Sequence, residues 1–308
     1  MKTKRYTSFL TAALLLLGGL FASQEFSMAQ STQNRQTFES FTGISVSNDF
    51  VVTLNEGREY SATITVDEAF MPYVVCQVKN RTLTVAMNKV PRDVRKKFKG
   101  RNAPKVSFNV TITTPTLGEI SLNDNAVLMS TTPFAAGDLF INMLGKSQIK
   151  HLEVDAGNSA TISMAKNTMA DLKISADLLN VSTVGSSSLR LVFDTAGLNL
   201  TAKNNAILVA MGDTDALSLT ADGSSKVTLS GTAAQPFEAT CGGSCSVDAL
   251  NMAVRKAIVV MTGGTLIEAA SDFLSMDLSG RSTLIFDKTP EISIQSIKTS
   301  TVTPYSMR

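Results

Sequence analysis

From residue 198 onward the sequence repeats itself in aligned columns about every 20 residues, and no other feature restricts the fold so tightly. One column reads Leu198, Leu217, Phe237, Ala257, Leu274. Two residues on come Leu200, Leu219, Ala239, Val259 and Met276, and two further on Ala202, Ala221, Cys241, Met261 and Leu278. After a polar or glycine-rich break a second set follows: Leu208, Val227, Val247, Ile267, Leu284, then Ala210, Leu229, Ala249, Ala269, Phe286. Asn, Ser, Thr, Lys and Asp fill the positions between. Alternation at period two marks strands with one buried face. The breaks "KNN", "DGSS", "CGGS", "TGG" and "SGR" are turn formers.

A repeat of this length with only strand and turn signals predicts a solenoid, because one unit cannot bury its apolar stripe alone. The fold expected is all-β: a right-handed parallel β-helix with an N-terminal strand-rich portion. A leucine-rich repeat would need a fixed Asn and a helical outer side, and neither is present. A β-sandwich is the runner-up, since short strands every 8–12 residues fit it too.

The pattern continues backward less regularly. Leu172, Ile174 and Ala176 open one segment; Leu152, Val154 and Ala156 open another, with Ile162 and Met164 as its second strand. Leu139, Ile141 and Met143 open a third, and Ile120 and Leu122, followed by Leu128, the earliest. Residues 172–197 read as carrying an insertion near "VGSSSLRLVF". The expected organisation is a signal peptide over 1–29, a flexible segment over 30–37, an N-terminal β portion over 38–118, β-helix coils over 119–290 and a capping tail over 291–308.

The first 29 residues carry Lys2, Lys4 and Arg5, an apolar run from Phe9 to Ala22, and Ser27 and Ala29 before a cut at Gln30. This is the grammar of a secretory signal peptide. The run falls short of the roughly 20 apolar residues a membrane span needs, and no later stretch is apolar enough. The expectation is an exported protein, in the periplasm or on the outer cell surface, without a transmembrane segment in the mature chain. Removing Lys2, Lys4, Arg5 and Glu25 from 28 basic and 26 acidic residues leaves 25 of each. Global charge therefore gives no case for nucleic-acid binding.

The chemistry-bearing residues are few. Cys76, Cys241 and Cys245 are too few for a disulfide framework, although export permits a bridge across "CGGSC". Cys241 falls in an inward column and reads as a small buried hydrophobe; its pairing with Cys245 stays open. His151 is the only histidine, so no metal site and no cofactor are expected, and a nucleophilic triad would have to use it. Asp194, Asp213, Asp215 and Asp222 read as turn formers that do not recur in adjacent columns, so no catalytic residue is assigned. A polysaccharide-active β-helix enzyme is the least favoured reading.

The N-terminal third supplies a resemblance. "ISVSNDFVVTLNEG", then "VKNRTLTVAM", then "VSFNVTITTPTLGEISLNDNAVL" occur in an order and spacing that resemble the family described as putative auto-transporter adhesin, head GIN domain. The likeness extends over about residues 38–290. It implies an exported β-helical protein of adhesin type. Where many members have "LSGSG"-like turns, this chain has "LNDNA" and "TADGSS".

The most unusual local composition is "PRDVRKKFKGRN". Arg92, Arg95, Lys96, Lys97, Lys99 and Arg101 surround one acid and one aromatic, and form a candidate anion-binding loop. The function expected is a non-catalytic envelope-binding or adhesin-like module presenting a polar Ser/Thr/Asn flank to an acidic glycan, lipopolysaccharide or envelope protein. The alternative is a structural envelope spacer without a dedicated ligand. Oligomeric state does not follow from the sequence.

Overall fold

A computed structural model describes residues 31–100, 103 and 105–305. The proposed signal peptide lies outside them. The chain is 68% strand and forms a β-solenoid of about ten turns. The N-terminal strands are β1 (Ser31–Thr37), β2 (Gly43–Val46), β3 (Val51–Glu56), β4 (Ser61–Asp67), β5 (Val74–Lys79) and β6 (Thr82–Met87). A short helix α1 (Arg92–Lys97) precedes β7 (Phe108–Thr114), β8 (Glu119–Leu122) and β9 (Val127–Ser130). The body runs through β10 (Phe134–Met143), β11 (Gln148–Lys166), β12 (Met169–Gly185), β13 (Ser188–Asn204), β14 (Ile207–Ala221), β15 (Lys226–Ala233) and β16 (Phe237–Cys241). It closes with β17 (Ser246–Met261), β18 (Thr265–Glu268), β19 (Ala270–Leu278), β20 (Thr283–Phe286), β21 (Glu291–Ile297) and β22 (Thr301–Pro304).

Throughout the body, successive coils pair in parallel. Each coil contributes a first face, a corner and a second face. The three columns read from residue 198 are register partners in the order expected. These continuous parallel ladders exclude the β-sandwich. One inward column passes through the whole stack: Leu83, Ile44, Ile120, Ile141, Ile162, Val181, Leu200, Leu219, Ala239, Val259, Met276, Ile294. All but the last are buried.

Corners are set by backbone geometry. Asp124, Gly145, Lys166, Gly185, Asn204, Gly223 and Gly243 have positive φ at successive corners. At Gly243 (φ 65°) a Cβ would lie 2.9 Å from the nitrogen and oxygen of Gly223, so stacking and handedness both demand glycine there. Just inside lies a column of small residues: Ala126, Ser147, Thr168, Ser187, Ala206, Ser225 and Cys245. The carbonyl of each accepts from the strand-opening N–H of the next coil.

Several expectations need correction. There is no insertion at 172–197: Leu172 stacks on Leu152 and under Leu191, and Leu179 stacks under Leu198 at the regular interval. Leu172 and Ile174 belong to the second face, and Ile162 and Met164 to the first. In the fourth and fifth columns Leu266 and Glu268, not Ile267 and Ala269, stack under Leu284 and Phe286. The "TGG" corner is one residue shorter than its neighbours, and this slips the register by one. Residues 31–37, expected as a flexible segment, form β1, which pairs antiparallel with β4.

The N-terminal portion is part of the stack, but not in chain order. β2 and β3 lie between β6 and β7 on one side and β8 and β9 on the other. Antiparallel β5 then covers β6, and β4 and β1 extend from β7. An aromatic group closes this end, with Phe41 edge-on to Phe38 and Tyr60, and Phe108 edge-on to Phe50 and Phe70. At the other end β21 and β22 form the last coil, stacked on β19 and β20.

Candidate functional site

Because side chains alternate along a strand, the inward columns imply outward ones at fixed spacing. On the first face, Thr161, Asn180, Asn199 and Ser218 form one outward column, and Ser163, Ser182, Thr201, Thr220 and Thr240 the next. Neighbours lie about 4.8 Å apart along the stack. All are partly or fully exposed. The Asn199 amide donates to Asn180 Oδ1 at 2.9 Å, leaving its carbonyl oxygen facing outward as an acceptor. Exposed apolar residues bound this polar field, with Phe140 at one side and Ile258 and Val260 at the other.

The second face is different. Met169, Ile207, Val209 and Met211 are exposed there, and Met169, Val209 and Met211 border a shallow recess of about 490 Å³ that also meets Lys150, Asp171 and Arg190. Lys173 and Glu153, register partners on adjacent coils, form a 2.7 Å ion pair on the same face.

The basic segment lies between β6 and β7, where the outermost coil turns its corner. Arg92, Arg95, Lys96 and Lys97 fall on α1 and Lys99 follows it; Arg101 lies outside the described residues. All five described cations are exposed, and none takes part in an ion pair among the described residues. Phe98 anchors the helix by packing on Phe70 with ring centroids 4.9 Å apart. Arg92, Arg95, Lys96 and Lys99 line one recess of about 350 Å³. Five cations on and beside one exposed six-residue helix make this a concentrated positive surface.

The other candidates are dispersed. His151 is exposed on β11. Cys76, Cys241 and Cys245 are free thiols. The neighbouring Cys245 thiol, then burial, holds the Cys241 thiol far above the usual range, and Cys241 in turn lowers Cys245. Burial pushes Cys76 up to about 11. Asp194 and Asp213 correct the sequence reading, since they are not at turns; they are exposed register partners on adjacent strands. Asp213 accepts from the Thr232 hydroxyl at 2.6 Å. Among the described residues no group of three or more His, Cys, Asp or Glu could hold a metal ion, and no helix is long and apolar enough to cross a membrane.

Sequence reasoning missed Glu268. The slipped register turns it inward, where it is buried; Oε2 accepts from the Ala270 N–H at 2.6 Å and Oε1 has no partner. Burial pushes its pKa up to about 7, against the Ala270 hydrogen bond, with Asp287 adding to the rise.

No curated protein matches the chain in sequence. Its fold is similar to a solved structure described as a "putative adhesin" from Parabacteroides distasonis, at 17% identity and a TM-score of 0.49, covering 90% of this chain and 97% of that one. It is also similar to a "putative adhesin" from Parabacteroides merdae (16%, TM-score 0.45, covering 89% and 96%). A third similar structure is a "putative lipid binding protein" from Parabacteroides distasonis (14%, TM-score 0.44, covering 89% and 96%). Residues 40–192 match the family model "Putative auto-transporter adhesin, head GIN domain", and this stretch of the chain belongs to that family.

Proposed function

We propose that the protein is an exported, non-catalytic, adhesin-like module of the cell envelope, in the periplasm or on the outer surface, that binds an acidic glycan along its polar first face. The observation that carries this reading is the pair of outward columns from Thr161 to Ser218 and from Ser163 to Thr240. Hydroxyls and amides both donate and accept, as a polyol ligand requires. A rigid, flat array presents them without ordering cost at the moment of binding. Arg92, Arg95, Lys96, Lys97, Lys99 and Arg101 supply contacts to carboxylate or phosphate groups of the same ligand, or of lipopolysaccharide.

The test is a glycan and lipopolysaccharide array probed with residues 30–308 at low and physiological salt. Two variants accompany it: Asn180→Glu with Thr201→Glu on the first face, which sets like charge against an acidic ligand, and the six basic residues changed to Ser. The face variant is expected to lose binding altogether. The basic-segment variant is expected to lose only the part that weakens with salt. Binding by none of the three proteins would remove this reading and leave the structural spacer in its place.

A further inference from the structure

The two ends of the stack are finished differently. At the N-terminal end the inward residues of the outermost coils, Leu83, Val85, Val110 and Ile112, are buried under antiparallel strands and aromatic rings. At the C-terminal end the inward residues of β21 have nothing over them among the described residues: Ile292 is 42% exposed, Ile294 59% and Ile297 41%. Among the described residues strand β21 pairs with β19 on one side only, so its other edge presents unpaired backbone groups. The neighbouring edge strand β22 ends in Pro304, which has no N–H to offer. β21 contains no proline. A bulge at Gln295 brings Ile297 back to the inward side with Ile292 and Ile294, so all three isoleucines share one face.

The sequence of this edge is self-complementary. Residues 291–298 read Glu-Ile-Ser-Ile-Gln-Ser-Ile-Lys. Two copies laid antiparallel about a two-fold axis between Ile294 and Gln295 oppose Glu291 with Lys298, Ile292 with Ile297 and Ser293 with Ser296. Like meets like at these two inner pairs, Ile294 meets Gln295 on either side of the axis, and opposite charges meet at both ends. In-register parallel pairing would instead bring Glu291 beside Glu291 and Lys298 beside Lys298. We propose that the C-terminal coil is a homodimer interface, in which β21 of one copy adds antiparallel to β21 of a second and the uncovered isoleucines bury against each other. An interface of this kind uses the same patch on both copies and closes after two. Because the opposite end is capped, head-to-tail growth into a filament has no matching surface. The dimer would carry two polar first faces, so a weakly bound glycan would be held with avidity.

The test is sedimentation equilibrium of residues 30–308 over a wide concentration range, with Glu291→Lys, Lys298→Glu, the double exchange and Ile294→Lys. The unchanged protein is expected to be a dimer. Each single charge reversal should weaken dimerisation about tenfold or more, since the two-fold axis applies it twice. The double exchange should restore the original dissociation constant, and Ile294→Lys should give a monomer with an unchanged far-UV spectrum. Restoration by the double exchange separates specific pairing from damage to the coil. A monomer at every concentration, growth beyond two copies, or failure of the double exchange to restore what each single reversal weakens would overturn the proposal.

Discussion

The body between residues 134 and 286 and the region between 31 and 130 are built from the same coil, yet reach it by opposite routes. In the body each coil lies on the one just synthesised, and register partners are about 20 residues apart. In the N-terminal region the first coil made, β2 with β3, is enclosed on both sides by later ones. Asp49 and Asn125 hydrogen-bond across a separation of 76 residues, as do Asn55 and Thr131. The body therefore grows by local addition, whereas the N-terminal region must close long loops before its central coil is covered. The reward for that cost is a finished end: antiparallel strands hide the ladder edge and the aromatic group fills the last coil.

Substitutions can break this comparison at either region, and the largest effect is expected in the body. At Gly212 a Cβ would overlap the carbonyl oxygen of Phe193 on the coil beneath. Gly212→Val is expected to cost more than about 4 kcal/mol, enough to prevent folding, as checked by thermal melting and soluble yield. Next comes a matched pair in one column. Ile44→Ala, between Leu83 and Ile120, should cost about 4 kcal/mol in urea unfolding. Ile294→Ala, at the uncovered end, should cost under about 0.5 kcal/mol in the monomer. Equal costs would mean that the two ends are closed alike.

Glu268 sharpens the comparison within the body. Its carboxyl is raised from 4.5 to about 7 on folding, so the folded state favours the protonated form. Stability is expected to be highest below pH 4.5, to fall as the pH rises to 7, and to be level above that. Glu268→Gln should flatten this slope and raise stability at pH 8 by up to about 3 kcal/mol. Urea unfolding at pH 4, 6 and 8 reads the difference, and an unchanged slope would place Glu268 in water. The smallest effect belongs to the basic segment: Ser at positions 92, 95, 96, 97 and 99 should shift stability by no more than about 0.5 kcal/mol, because these side chains touch no core.

How much was legible follows from what each residue type signals. Inward columns from Leu198 to Leu278 were readable because an apolar residue at every second position leaves a periodic trace. The reading slipped where a corner lost a residue, which hid Glu268, and where second-face residues such as Leu172 look like the start of a repeat. The order of the N-terminal coils left no trace: β2, β6 and β8 are similar four- to six-residue strands, and nothing local says which lies between the others. For the candidate site, composition located the cations but not the six-residue helix that carries them. A polar flank was expected, but outward residues carry no apolar marker. The alignment of Asn180 with Asn199, and of Asp194 with Asp213, emerges only once register is fixed.

The out-of-order seating of β2 between β6 and β8 is the central claim, and paired cysteines test it most directly. Ser45 is the register partner of both Thr84 and Ser121, all three pointing outward. In a Cys76→Ser background, Ser45→Cys combined with Thr84→Cys, and Ser45→Cys combined with Ser121→Cys, should each form a disulfide under mild oxidation. Adjacent parallel strands bring Cα atoms to about 4.8 Å, within bridging range. Thr84→Cys with Ser121→Cys, separated by the intervening strand at about twice that distance, should not. Bridges in the first and third pairs and none in the second would show that the coils stack in chain order, and would contradict the account.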